Sequence, residues 1–351
     1  MTNIFKIFIL IASLIFISNN SFAGRNDKAG TAAAAQLFIP AGARDIAMSG
    51  STHAFTTGIE AIYWNPAGLS NSNSGASAIF SHMNYIADIG VDYFAASSSF
   101  EGFGSIGFSL KSLSIGDIPV TTEEQPDGTG SLISPTFVTL GVTYSKKLSD
   151  NTFVGVTTNL ISETMDRVNA TGVAFNAGIQ YHNFAGFDGL SLGLVVKNIG
   201  ASMQYDGSGL IRQGDVDNTE RGPSFYKVIA AEAELPSTIE IGLGYKHKID
   251  ETDVLSFSGL FQNNNFASDE YKVGVEYGYN DLFYVRGGTS FSQDIENESF
   301  ATSDKTNYIF GPTFGFGVNQ DFGDMKLGID YAYRTTQFFD GNNIFSITLG
   351  F

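Results

Sequence analysis

From about residue 76 to its end, the chain alternates apolar and polar residues with a period of two. The segment 173–181, for example, reads Val-Ala-Phe-Asn-Ala-Gly-Ile-Gln-Tyr. Because successive side chains of a β-strand point to opposite faces, this period predicts strands with one apolar face. The other face combines glycine with charged residues, and the apolar face ends in aromatic residues. That combination favours lipid-facing strands around a wet lumen over the solvent face of a β-sandwich.

About fourteen such segments follow one another, and an even number is what a closed bacterial barrel requires. They begin near Ala76, Asp92, Gly104, Thr136, Thr152, Gly172, Leu190, Ser237, Asp253, Glu270, Leu282, Asn307, Met325 and Asn343.

The lengths of the connections are an independent test of this interpretation. A barrel with both chain ends in the periplasm has long outer loops after odd-numbered strands and short turns after even-numbered strands. Long connections follow the third, seventh and eleventh segments, at 115–135, 200–236 and 292–306, whereas the even-numbered connections are turns of a few residues. The sequence therefore predicts an all-β fold, a closed antiparallel transmembrane β-barrel of about 14 strands in a Gram-negative outer membrane.

The first residues of the chain have the features of a signal peptide. Lys6 precedes an apolar run, and Ser21-Phe22-Ala23 has the small-x-small form of a cleavage site. The run is too short to span a bilayer, which disfavours an uncleaved anchor. The predicted organisation is a signal peptide at 1–23, a separate N-terminal segment at 24–75 and the barrel at 76–351.

Composition narrows the classes of function. The formal net charge of -17 argues against a nucleic-acid partner, because affinity for phosphate backbones depends on Lys and Arg. The absence of Cys excludes disulfides, thiolate metal sites and a Cys nucleophile. The chain is 43% hydrophobic and only 16% charged, which is less charge than an ordinary soluble domain carries. Outer-membrane lipid is therefore the expected surroundings of much of its surface.

Motifs for catalysis or cofactor binding are weak. The run Gly102-Phe103-Gly104-Ser105-Ile106-Gly107 matches a dinucleotide fingerprint in letters, but it lies in a turn and runs into a strand instead of opening a helix. The four His residues are scattered, and there is no Gly-x-Ser-x-Gly motif. We predict a protein that is not an enzyme and has no cofactor and no metal. A barrel lipase with Ser, His and Asn on neighbouring strands stays open as an alternative, because such a site is spatial.

Acidic residues are concentrated in the long connections. Candidates for a partner-docking surface are Glu123, Glu124, Asp127, Asp215, Asp217 and Glu220. They would attract a basic or Ca²⁺-carrying partner by long-range forces. The alternatives are a merely solvated surface and a weak Ca²⁺ site at 215–220, although the latter lacks the glycine and the spacing of an EF-hand.

The residues that precede the barrel have a character of their own. An Ala-rich stretch at 31–37 predicts a helix that Pro40 ends. After it come Gly-Ala-Arg at 42–44 and Tyr-Trp-Asn-Pro-Ala-Gly-Leu at 63–69, the second containing the only Trp of the chain. The segment is long enough to enter the lumen, and the alternative is a simple loop before the first strand.

These residues carry a resemblance to a known family. The stretch 40–50, the run Trp64-Asn65-Pro66 with its flanking residues, the fourteen segments and the aromatic end of the chain resemble the PorV/PorQ family of FadL-like outer-membrane barrels. The resemblance implies that the segment 24–75 is an N-terminal plug inside the barrel, with Arg44, Trp64, Asn65 and Pro66 as its motif. The terminal Phe351 also resembles the signature that the barrel assembly machinery reads.

The resemblance implies two functions of different classes. Members in bacteria with type IX secretion act as non-enzymatic partners that receive secreted cargo proteins from the translocon. FadL relatives instead admit hydrophobic small molecules through an opening in the wall. We expect the first function, with the second as the alternative. An occluded lumen below a broad docking surface would favour secretion, and a continuous apolar tunnel would favour transport.

Overall fold

A computed structural model describes residues 28–72, 74–214, 222–292 and 309–351. Within them, fourteen strands form one closed antiparallel barrel, in which the last strand pairs with the first. The predicted all-β, fourteen-stranded barrel is confirmed. The predicted signal peptide lies outside the described residues. No helix in the described ranges is long and apolar enough to cross a membrane.

The barrel strands follow the order of the chain. They are β1 (Ala76–Asn84), β2 (Gly90–Phe100), β3 (Gly104–Ser114), β4 (Thr136–Lys147), β5 (Thr152–Met165), β6 (Val168–His182), β7 (Leu190–Gly200), β8 (Thr238–Lys248), β9 (Asp253–Asn264), β10 (Glu270–Tyr279), β11 (Phe283–Ser292), β12 (Phe310–Asp321), β13 (Lys326–Thr336) and β14 (Asn342–Gly350).

The two faces of the strands are those that the alternation predicts. Apolar side chains point outward, as at Phe108 and Phe175, which are 59% and 54% exposed. Polar side chains point inward, as at Lys111 and Gln180, which are 4% and 0% exposed. In a bilayer the outward side chains contact lipid, and a β-barrel has no free strand edge there.

The strand β6 begins earlier than its apolar pattern predicts. Over residues 168–171 the pattern is inverted, because Ala170 is buried on the inner face whereas Asn169 and Thr171 are exposed on the outer face. This inversion has a physical reason. Above the membrane a strand has water outside and protein inside, so its apolar residues face inward.

The two ends of the barrel differ in their connections. One end, here called the turn end, carries Phe351 and the short even-numbered turns; the other, the loop end, carries the connections 115–135 and 201–237. Short hairpins fold within these loops, at Ile118–Pro119 with Leu132–Ile133, Met203–Gln204 with Glu232–Ala233, and Ile211–Gly214 with Ser224–Lys227. Short 3-10 turns lie at Ile86–Asp88, Phe184–Gly186 and Ser208–Leu210. Outer-membrane barrels have short periplasmic turns, so the loop end faces the outside of the cell.

Residues 28–72, here called the plug, run through the lumen from the loop end to the turn end. At the loop end Ala33 N donates to Glu234 O over 3.0 Å, and at the turn end Gly75 N donates to Phe351 O over 2.7 Å. The plug contains two short helices, α1 (Ala43–Ile46) and α2 (Ala61–Trp64), and 3-10 helices at Ala35–Phe38, Gly58–Glu60 and Pro66–Ser70.

The helix predicted over 31–37 is reduced to the 3-10 turn Ala35–Phe38. Its backbone bonds to other parts of the protein instead. Lys111 Nζ donates to Gln36 O over 2.8 Å and to Ile39 O over 2.9 Å. Tertiary contacts therefore override the helix propensity of the alanines.

We expect peptide tags inserted at Gly128 and Gly209 to be reachable from outside intact cells, because both residues lie in loop-end connections. A tag at Asp281, in a turn between β10 and β11, should be reachable only after the outer membrane is permeabilised. Antibody labelling of intact and permeabilised cells measures this. Labelling of intact cells at Asp281 but not at Gly128 would contradict the orientation.

Candidate functional site

Asn65 fixes the plug to the barrel wall. Its side chain is fully buried, and its Nδ2 donates to His53 O over 2.8 Å and to Ile179 O of β6 over 3.2 Å. Its Oδ1 accepts from Ala67 N over 3.2 Å, which caps the 3-10 helix that Pro66 begins. A carboxamide can donate and accept at once, so one side chain joins two plug turns to a strand.

Trp64 is packed among aromatic rings and a cation. It is 5% exposed, and its ring lies edge-on to Tyr63 at 5.0 Å and to His53 at 5.8 Å between centroids. Lys197 Nζ lies 5.6 Å from the ring centroid, within the range of a cation-π interaction. Gly50, at a φ of 72°, lies against the ring so closely that a Cβ atom would collide with it. The Trp side chain thus fills its site.

Arg44 joins the plug to a chain of charges in the wall. Its NH1 donates to Glu60 Oε2 over 3.0 Å, and its Nε lies 3.4 Å from Glu276 Oε2 of β10. Arg286 of β11 donates to the same Glu276 oxygen over 2.6 Å and to Asp330 of β13 over 2.5 Å. The four predicted motif residues therefore all lie in the lumen, at contacts between the plug and the wall or within the plug.

The charge balance of this network affects protonation in the plug. The guanidinium groups of Arg44 and Arg286 lie among four carboxyl groups, which are those of Glu60, Glu276, Asp330 and Asp45. Burial raises the pKa of Glu60 to about 8, against the opposing effect of Arg44. Burial also raises the pKa of Asp45.

A second buried cluster lies nearer the loop end. Lys197 Nζ of β7 lies 3.0 Å from Glu240 Oε2 of β8, and His53 Nε2 contacts the same carboxylate. Burial lowers the pKa of His53 to about 4, although Glu240 raises it. His53 is therefore neutral at physiological pH. Sequence reasoning missed this cluster, although charged residues at inward positions of lipid-facing strands were a signal for it.

Glycines on the inner face of the wall receive the plug. A Cβ atom would collide with Asn65 and Pro66 at Gly178, with Pro66 at Gly155 and with His53 at Gly193. The interpretation of this glycine-rich face as the wall of a wet lumen is therefore wrong where the plug passes. Glycine inside a strand often marks a close approach of another backbone, and this signal could have indicated the packing.

Two pockets lie at opposite ends of the plug. A pocket of about 820 Å³ at the turn end is lined by residues that include Arg44, Glu60 and Arg286. A pocket of about 190 Å³ at the loop end is lined by residues that include Trp64 and Lys197. Charged side chains thus face the space on both sides of the plug.

The predicted docking residues lie partly within the described ranges. Glu123, Glu124 and Asp127 are exposed in the connection 115–135 at the loop end. Asp215, Asp217 and Glu220 lie outside the described residues. Phe351 is 59% exposed, and its N–H donates to Ala76 O over 2.9 Å. Its role as an assembly signal stays a prediction.

A Ser, a His and an Asn do meet inside the barrel. His182 Nδ1 lies 2.9 Å from Ser191 Oγ, and its Nε2 lies 3.3 Å from Asn71 Nδ2. With this orientation of the Asn71 amide, Nδ2 donates to Nε2, which puts the ring proton on Nδ1, the nitrogen that faces Ser191 Oγ. Ser191 is 6% exposed. Among the described residues, no group of three or more His, Asp or Glu could hold a metal ion.

The family model of the type IX secretion system protein PorV matches residues 22–245. The chain belongs to the PorV family. No sequence among curated proteins matches it. This PorV-family barrel is a Gram-negative outer-membrane protein, and the resemblance seen in the sequence is confirmed.

Solved barrels of FadL type share the fold. The monoaromatic hydrocarbon channel CymD is similar with a TM-score of 0.54 and 12% identity, covering 89% of this chain and 98% of that chain. The Pseudomonas putida toluene transporter TodX is similar with a TM-score of 0.53 and 12% identity, covering 87% of this chain and 96% of that chain. At such identities the likeness shows the fold alone. The family and the fold are those of channels and secretion proteins, not of enzymes.

We expect Gly178→Ala to destabilise this PorV-family protein by about 1–3 kcal/mol, because the new methyl group displaces Asn65. Gly242→Ala is the matched control, since a Cβ atom there meets Leu260 and His53 at ordinary distances of 3.4 and 3.5 Å. Urea unfolding of both variants in detergent measures the difference. Equal stabilities would show that the plug does not press on the wall at Gly178.

We expect Glu60→Gln to make stability depend less on pH. The pKa of Glu60 is raised from 4.5 to about 8, so its contribution is complete below pH 4.5 and is lost as the pH rises through 8. The urea midpoint of the wild type should therefore fall more between pH 5 and pH 8.5 than that of the variant. Glu124→Gln, in an exposed loop, is the control. An equal fall in all three proteins would contradict the assignment.

Proposed function

We propose that this protein is a non-enzymatic accessory of protein secretion, which receives secreted proteins at the outer surface of the outer membrane. The observation that carries the proposal is a plug that lies inside the barrel and is hydrogen-bonded to the wall on many sides. The matching family model is that of the type IX secretion system protein PorV, which supports type IX protein secretion as the pathway.

Within the described residues, at least six wall strands form hydrogen bonds to the plug through buried side chains. Ser145 of β4, Gln180 of β6 and Thr313 of β12 donate to plug carbonyls over 2.8 to 3.0 Å. The others are Lys111 of β3, Ser258 of β9 and Ser346 of β14. Each such bond contributes about 0.5–1.5 kcal/mol, and moving the plug leaves buried polar groups without partners. This cost argues against a plug that opens for every solute molecule.

The chemistry of the lumen also disfavours the alternative of a transporter for hydrophobic small molecules. An apolar solute that passes the plug must disrupt buried charge pairs such as Lys197 with Glu240 without replacing their hydrogen bonds. Such desolvation costs several kcal/mol. A conduit for hydrocarbons needs an apolar lining instead.

The loop end offers a surface suited to protein partners. It carries the exposed acidic residues Glu123, Glu124 and Asp127 together with exposed apolar side chains at Phe225 and Ile229, which are 76% and 83% exposed. Exposed apolar groups above the membrane mark interaction sites, and acidic groups steer basic partners. We infer that the translocon and the secreted cargo dock here, after the barrel assembly machinery has inserted the protein by its Phe351 end.

We expect exchange of Glu123, Glu124 and Asp127 for Ser to reduce the retention of secreted proteins at the cell surface while the barrel stays closed. We expect Trp64→Ala to make the barrel leaky to small solutes and to leave cargo capture unchanged. The substitution removes from the plug a packed aromatic contact worth about 3–5 kcal/mol, and it does not alter the outer loops. Surface retention and uptake of a hydrophobic tracer are measured for both variants.

A deletion strain provides the control for this pair. It should fail to retain secreted proteins and should take up fatty acids normally. A strain that secretes normally but fails in fatty-acid uptake would contradict the proposal and support transport. The same conclusion would follow if Trp64→Ala changed tracer uptake specifically and the loop exchange changed nothing.

A further inference from the structure

The barrel closes where its last strand, β14, pairs with its first, β1. This contact joins distant parts of the chain, since Ser81 of β1 and Ser346 of β14 are 265 residues apart. Both strands have nine residues, fewer than any other strand of the described barrel, and eight residue pairs join them. Bringing such distant segments together costs conformational entropy before the ladder forms. An additional contact at this seam therefore favours closure.

The plug makes a hydrogen-bonded contact to both strands of the closing seam. Ala43 N, in α1, donates to Ser346 Oγ of β14 over 2.8 Å, and this hydroxyl donates to Ser81 Oγ of β1 over 2.9 Å. Ser81 and Ser346 are 2% and 1% exposed. One hydroxyl group thus joins the plug, the first strand and the last strand at a buried position, where a lost partner is costly.

A hydrophobic cluster spans the same seam. Its plug residues are Ile39, Ala43, Ile46, Ala47 and Trp64, and its wall residues are Met83, Val91 and Leu113 of β1 to β3 and Ala332 and Ile344 of β13 and β14. Thr313 of β12 adds a bond from its Oγ1 to Ala47 O over 2.9 Å. The first and the last strands therefore bury apolar side chains against one short stretch of the plug, and this burial favours having both edges in place together.

The plug is also continuous with β1. Where the plug passes into this strand, Gly75 N and Ala76 N both donate to Phe351 O, over 2.7 and 3.2 Å. Contacts of the plug with β1 to β3 close much shorter loops than the contact of β1 with β14 and so cost less entropy. A plug folded on the first strands presents the apolar surface around Ile46 beside the free edge of β1. The last strands can bind this surface before their ladder with β1 forms.

We propose that the plug has a further function as an internal template for barrel assembly. It folds against β1 to β3, and its residues 43–47 then bind β12 to β14 and so place β14 beside β1. In the opposite order, the barrel closes first and the plug packs into the closed lumen afterwards. The two orders differ in whether plug contacts at the seam affect the rate of closure. This inference does not depend on the secretion role.

The absence of Cys makes closure measurable, because two introduced Cys residues are the only thiols of the protein. Phe80→Cys with Ile347→Cys reports the closing seam, since these paired residues both point outward to lipid. Leu140→Cys with Leu160→Cys reports the hairpin of β4 and β5 in the same way. The protein without its predicted signal peptide is refolded from urea into detergent micelles, and disulfide formation in each pair is followed with time.

Two substitutions in the plug are compared in both Cys pairs. Ile46→Ala removes a buried side chain from the cluster at the seam, whereas Leu69→Ala removes an equally buried plug side chain from a cluster that includes β1 and β2 but not β14. We expect Ile46→Ala to slow disulfide formation at the closing seam about tenfold, Leu69→Ala to slow it less than about twofold, and neither to change the hairpin pair. A closure rate unchanged by Ile46→Ala, or slowed equally by Leu69→Ala, would overturn the proposal.

A second comparison changes single hydroxyl groups, so that one misfolded variant does not decide the result. Ser346→Ala removes both the bond to the plug and the bond to Ser81, whereas Ser81→Ala removes only the bond between the two strands. We expect closure to be about threefold slower in Ser346→Ala than in Ser81→Ala. Equal closure rates in these two variants would mean that the plug contact forms after closure, and the proposal would be wrong.

Discussion

Close contact between the backbone of the plug and the inner face of the wall is the constraint on which the rest of the structure depends. Plug turns approach β5, β6 and β7 so closely that three of their inward positions nearer the turn end, Gly155, Gly178 and Gly193, have no room for a side chain. Glycine in a strand costs conformational entropy, and at these positions the close packing of the plug offsets that cost. The plug therefore fits inside the barrel because the wall has glycine at these positions.

This contact determines how polarity is distributed in the lumen. A plug made of short turns exposes many carbonyl groups, which cannot pair among themselves as they would in a long helix. The wall supplies the donors, such as Ser145, Gln180 and Lys111, and none of them is exposed to solvent. The inward polar side chains of this barrel therefore form hydrogen bonds with the plug, whereas those of an open porin contact water.

The sequence predicted the barrel well because lipid imposes a simple rule on every strand. Ala76, Gly104, Thr136 and Thr152 are the observed first residues of β1, β3, β4 and β5. The rule fails where a strand is no longer surrounded by lipid. At 168–171 the strand β6 stands in water, and its apolar side chains face the protein interior instead.

The interior was predicted less completely, for a different physical reason. The motif Trp64-Asn65-Pro66 indicated a plug, but the partners of each residue come from distant positions: Lys197 lies over Trp64, and Asn65 bonds to Ile179. Alternation shows which residues point inward and not which of them meet. The inward charges of β3, β7, β8, β10, β11 and β13 were visible in the sequence, yet only the closed barrel shows that Lys197 and Glu240 form one cluster and Arg286 and Asp330 another.

The two clusters hold the plug at opposite ends of the lumen. At the turn end, Arg44 and Arg286 are shared among acidic groups of the plug and the wall. At the loop end, Lys197 and His53 both contact the carboxylate of Glu240. Removing one partner of a buried ion pair leaves an uncompensated charge, which is strongly destabilising. Movement of the plug would separate Arg44 and His53 from carboxylates of the wall, so these charges act together with the hydrogen bonds that hold the plug in place.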